Sequence, residues 1–155
     1  MRRIALFVAL LLAGGTLASR PTFAAEDTDV LVPVHQFLDG FNKGDAKSAL
    51  AACASPAYIV DEFAPYAWQG PTACADWAND YDANAKKNAI TDGVVTLGRP
   101  RHVDVVGDHA YVVVPTDYAY KQAGKPVKES GSTMTLALQK GADGWRITAW
   151  TWAKH

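Results

Sequence analysis

The stretch Phe37-Leu38-Asp39-Gly40-Phe41-Asn42-Lys43-Gly44-Asp45 decides how this chain begins to fold. Read backward, Phe41, Leu38, Phe37, Val34 and Val30 recur at three- and four-residue spacing, the period of one buried helix face, and Asp29 stands where an N-cap would. Gly44 then suits the left-handed residue that ends a helix. Read forward, Asp45 caps a short second helix through Leu50 to Cys53. Ser55-Pro56 stops it, since proline disfavours helical geometry in the residue before it. A helical hairpin is the result.

Beyond the hairpin, Tyr58 to Asp61 reads as a short strand, and Glu62 to Gln69 as a packed, aromatic, proline-broken loop. Pro71 suits a first helical position, and Cys74, Trp77, Ala78, Tyr81 and Ala85 share one face of a third helix. From Asp92-Gly93 onward the period becomes two. Val94 to Val106, Ala110 to Tyr120, Val127 to Gln139 and Trp145 to Trp152 read as strands, with hairpin turns at Gly107-Asp108 and at 141–144. The fold class expected is α+β: three N-terminal helices packed on one face of a strongly curved, mostly antiparallel sheet.

At 155 residues the chain makes one domain with a real core. The first 25 residues read as a secretory signal: Met1-Arg2-Arg3 gives the positive start, Ile4 to Ala13 the apolar run, and Thr22-Phe23-Ala24 a small-x-small site before Ala25. The run falls short of the roughly 20 apolar residues of a spanning helix, so no stable membrane anchor is expected. The domain is placed at 26–155 and the product in the periplasm or the medium. Fifteen basic against sixteen acidic residues, net −1, leave no footprint for nucleic acid, and point to small molecules or proteins as partners. Export lets Cys53 and Cys74 become a disulfide; two buried free thiols are the alternative.

The element order, the run 37–45 and the strand-loop-helix run from Val60-Asp61 through Trp68-Gln69-Gly70 resemble the SnoaL-like and ketosteroid-isomerase-like proteins of the nuclear-transport-factor-2-like superfamily. The resemblance covers the whole mature chain and implies a cone-shaped, cystatin-like α+β barrel around an apolar pocket. It is specific for fold and poorly specific for function, because that fold hosts isomerases, cyclases, dehydratases and domains that only bind. It implies a general base at Asp61. It puts Phe37 where the isomerase has its donor tyrosine, and Thr135 where it has a neutral carboxylic acid. Loss of such donors commonly costs 10²- to 10³-fold in rate, so steroid isomerisation itself is not expected.

Strand alternation in the family register sends Thr148, Trp150 and Trp152 inward, and groups Thr133, Thr135 and Ala137 on one side. Phe37, Phe41, Tyr118, Tyr120, Trp150 and Trp152 are then the expected ligand-binding rings, with Asp61 and Thr135 the candidate catalytic pair. Rings that simply fill the cone are the alternative. Asp61 either faces the pocket as a base or bonds the loop amides around Glu62 and Phe63, and Glu62 points to the opposite strand face. His35, His102, His109 and His155 form no metal triad or nucleophile pair, so no metal and no cofactor is expected. Three functions stay open: a domain binding an apolar or aromatic small molecule, a SnoaL-like enzyme with Asp61 as base, and an interaction domain that dimerises through its sheet.

Overall fold

The computed structural model describes residues 23–155, with side chains from Asp29 onward. The expected leader lies outside the described residues except for its last three positions. In order the elements are α1 (Phe23–Lys43), α2 (Ala46–Ala51), β1 (Cys53–Val60), β2 (Ala67–Gly70), α3 (Ala73–Lys87), β3 (Ile90–Leu97), β4 (His102–Val106), β5 (His109–Gln122), β6 (Lys125–Gly141) and β7 (Gly144–Ala153). The strands form one curled, unclosed sheet ordered β2-β1-β7-β6-β5-β3, with β4 also on β5.

Helix α1 starts ahead of the expected Asp29 cap and continues through Pro33. The Ala- and Glu-containing segment before Asp29 has good helix propensity, and Pro33 removes only the bond to the Asp29 carbonyl. Val30, Val34, Phe37 and Leu38 form the buried stripe, as their spacing requires. Asp45 caps α2 as expected, its Oδ1 accepting the Ser48 N–H at 3.0 Å.

Three sheet features differ from the expectation. The long strand read over Val94 to Val106 is two strands, because Gly98-Arg99-Pro100 breaks the ladder between β3 and β4. The aromatic loop contains β2, which pairs antiparallel with β1 from Ala57↔Gly70 to Val60↔Ala67. And β1 runs parallel to β7, so the sheet is mixed. Its concave face carries Val112, Val114, Met134, Leu136, Leu138, Ile147 and Trp150, all buried beneath α1 and α3.

Cys53 at the start of β1 and Cys74 in the first turn of α3 are joined as a disulfide, their Cα atoms 6.7 Å apart. The bond fastens α3 to the strand that ends at Asp61. Replacing both cysteines by serine should lower the unfolding free energy by about 3 kcal/mol, the chain-entropy value for a loop of this size. Urea denaturation of parent and double variant measures it; equal midpoints would show that the crosslink contributes nothing.

Candidate functional site

A cavity of about 110 Å³ opens between α1, α3 and the concave sheet face. Its floor is aromatic because each contributing element turns a ring inward. Phe37 lies 5.7 Å from Trp77 and 5.8 Å from Trp150, and the two indoles meet edge to face at 5.0 Å. Phe41 meets Tyr81 at 5.0 Å, and Tyr118 stacks on Tyr120 at 4.8 Å. Trp152 and Met134, paired across β7 and β6, complete that wall.

Asp61 follows the last residue of β1 and lines this cavity. Its Oδ2 accepts the Trp77 indole N–H at 2.8 Å, and its Oδ1 accepts the Glu62 backbone N–H at 2.7 Å. The two readings of Asp61 from sequence, pocket carboxylate and loop-amide acceptor, are therefore both realised in one geometry. Burial pushes its carboxyl from an ordinary 3.8 up to about 6; the two hydrogen bonds oppose that shift, and the neighbouring Glu62 charge adds to it. Glu62 also lines the cavity, contrary to the expectation of opposite faces, because the strand ends at Val60 and its alternation stops there.

Tyr81 and Tyr118 share a hydrogen bond of 2.5 Å. Burial raises both phenols above their usual range, so both keep their protons at neutral pH. Only one of the two protons lies between the oxygens, which leaves the other free to donate elsewhere. The pair needs a residue without a side chain beside it: a Cβ at Gly93 would stand 2.7 Å from the Tyr118 oxygen and 3.1 Å from that of Tyr81.

Of the eight residues expected to converge, seven line the cavity: Phe37, Phe41, Asp61, Tyr118, Tyr120, Trp150 and Trp152. Thr135 does not. Its register partners are Val113 and Thr151, on the outer face, while Met134 and Leu136 beside it pair with the buried Val114 and Val112. The inward set of β6 is thus the even-numbered one. Thr148 is also displaced: a bulge where Ala137↔Ala149 gives way to Leu138↔Ile147 turns both Ile147 and Trp150 inward.

A second bulge brings in a residue that strand parity alone hides. Between Thr116↔Ser132 and Tyr118↔Glu129, β6 spends one residue more than β5, with Gly131 at φ +84°. The switch carries Glu129 to the inner face, where its Oε1 accepts the Tyr120 hydroxyl at 2.9 Å and the Lys154 ammonium at 2.8 Å. Lys154 also stands 3.3 Å from Glu62, and so ties the C-terminal end of β7 to both acids. A glycine inside an otherwise regular strand was the available signal. Trp77 and Tyr81 are cavity residues that were also not singled out, though their shared helix face was legible.

Among the described residues no group of three His, Cys, Asp or Glu side chains is arranged to hold a metal ion. A larger crevice of about 470 Å³ lies between the helical hairpin and α3, sharing Phe37, Phe41, Trp77 and Tyr81 as a wall. Its own polar lining includes Lys43, paired with Asp39, and Asp92, paired with Lys121.

The helix hairpin, the third helix and the curled sheet recur in solved structures. A hexachlorocyclohexane dehydrochlorinase of LinA type 3 from Novosphingobium barchaimii superposes with a TM-score of 0.71 at 12% identity, over 85% of this chain and 88% of that one. An NTF2-like protein with a cystatin-like fold from Novosphingobium aromaticivorans gives 0.67 at 17%, over 84% and 83%. A ketosteroid isomerase-like protein from Erwinia carotovora atroseptica gives 0.66 at 18%, over 85% and 98%. This chain has the NTF2-like fold. No family model and no curated protein sequence matches it. Within this cone the site is built around the Asp61–Trp77 bond, the Tyr81–Tyr118 pair and the Glu129 bulge.

The raised Asp61 carboxyl has a thermodynamic signature. A folded pKa above the unfolded 3.8 means that the proton binds the folded chain more tightly. The contribution is fully present below about pH 4 and is lost as pH rises through about 6. Asp61→Asn, which never ionises, should be more stable than the parent at pH 8, by at most about 3 kcal/mol, and lose that advantage near pH 4. Urea titrations at the two pH values check this. By NMR, Trp77→Phe should move the Asp61 midpoint above 6, since it removes a donor to the charged form; a downward move would contradict the assigned bond.

Proposed function

We propose that this NTF2-like domain is exported and holds one compact, largely apolar or aromatic molecule in its cone, with Asp61 reading a polar group on it. The observation that carries the reading is a carboxylate set into a wall of rings. Apolar walls with a few converging polar groups are how small-molecule sites are commonly built. Both Asp61 oxygens already accept one bond, and each has room for a second. Cavity size limits the ligand: engineered cavities of roughly 150 Å³ take benzene, so about 110 Å³ admits a single small ring or a few-atom chain and not a steroid. The Cys53–Cys74 bond supports the export half of the proposal, because disulfides persist in oxidising compartments. Mass spectrometry of the periplasmic and medium fractions should find a chain that begins near Ala25; recovery of the protein only in the cytoplasm with an intact N-terminus would remove the export reading.

A second reading, proton-transfer catalysis, is favoured by the Asp61 carboxyl near 6, since a base works best with a pKa close to the operating pH. The free proton of the Tyr81–Tyr118 pair then takes the donor role that Thr135, on the outer face, does not fill. Asp61→Asn separates the two. Thermal-shift screening with compact aromatic and carbonyl compounds identifies a ligand through the raised melting point of the folded state. If the protein only binds that ligand, the variant keeps its affinity to within several-fold. If it catalyses proton transfer, turnover falls by about 10² to 10⁴. A parent protein that no compound stabilises would mean that the rings merely fill the cone.

A further inference from the structure

We propose that the ligand of this cavity is a compact organic cation, a protonated amine or quaternary ammonium. The inference rests on the cavity being a ligand site, as argued above, and adds the charge of what enters it.

Three lining side chains are carboxylates, Asp61, Glu62 and Glu129, and none is Lys, Arg or His. Lys154, at 2.8 Å from Glu129 and 3.3 Å from Glu62, offsets part of that charge from outside the lining. It does not reach Asp61. Among the described residues no cationic side chain lies within ion-pair distance of Asp61, whose partners are the neutral N–H groups of Trp77 and Glu62. Charges drawn out of water are ordinarily paired, so this half-buried carboxylate is open to a cation from elsewhere.

A neutral hydrocarbon ligand would leave that carboxylate without a counter-charge. An ammonium would meet it while its methyl or methylene surface lies on the ring faces, whose negative quadrupole attracts a cation. The cavity volume keeps that molecule short.

Choline, its neutral isostere 3,3-dimethylbutan-1-ol, tetramethylammonium and phenol, titrated into the full mature chain by calorimetry, test this. Choline should bind about tenfold or more tighter than the neutral alcohol, a gap within the range of one desolvated cation–ring contact. Tetramethylammonium, a cation without the hydroxyl, should also bind tighter than the neutral alcohol. Asp61→Asn should shrink both preferences, with circular dichroism checking that the variant folds. The neutral alcohol binding as tightly as choline would overturn the cation while leaving the cavity a ligand site. Phenol binding with neither choline nor the alcohol would do the same. If none of the four binds the folded chain, the inference and the ligand-site reading fall together.

Discussion

The hydrogen bond from the Trp77 indole to Asp61 ties the third helix to the end of the first strand, and much of the interior is arranged around it. Trp77 is the ring on which Phe37, Tyr81 and Trp150 converge, so its position fixes three neighbours at once. Two covalent and geometric facts hold it there. The disulfide from Cys74 anchors the first turn of α3 to the start of β1, and Asp61 receives the indole at that strand's far end. Both ends of β1 are therefore fastened to the N-terminal part of the third helix, and the carboxylate is fastened where burial raises its pKa.

A carboxylate so placed is not explained by stability alone. The charged form is disfavoured by burial, and the two neutral donors recover only part of what water would have given it. An amide or an apolar residue of similar size would be easier to bury. Local structure that costs free energy and points into a cavity is found most often where a protein meets its ligand.

How much of this was legible in the sequence depends on whether alternation held. The helix faces were legible because a 3.6-residue period runs unbroken from Val30 to Phe41 and from Cys74 to Tyr81. Phe37, Phe41, Trp150 and Trp152 fall in the cavity as read. Thr135 does not because the family register assigned the odd-numbered residues of β6 to the inner face, where the even-numbered set lies; Thr148 does not because parity was carried along β7 as if it contained no bulge. A single extra residue reverses every side chain beyond it, and no composition signal marks the bulge at Thr148. At Gly131 a signal did exist. Reading it as a bulge would have turned Glu129 inward. The strand β2 was hidden because its four residues lie in a proline-broken stretch whose pairing with β1 is set by tertiary contact, not by its own pattern.

The same bulges account for part of the chemistry of the cone. Without the extra residue near Gly131, regular alternation would continue the inward series Leu136, Met134 and Ser132 to Ser130 and Lys128, and would put an ammonium where Glu129 now stands. Lys128 instead turns to the outer side, 3.1 Å from Asp117. Without the bulge near Thr148, Ile147 and Trp150 would not both face the helices, and either the apolar floor or the indole N–H would be lost. Glu129's place in the cavity and the joint inward turn of Ile147 and Trp150 therefore come from two local irregularities on an otherwise regular ladder. Such irregularities change what a cone holds without changing the cone, which is how one fold serves ligands of unrelated chemistry at low sequence identity.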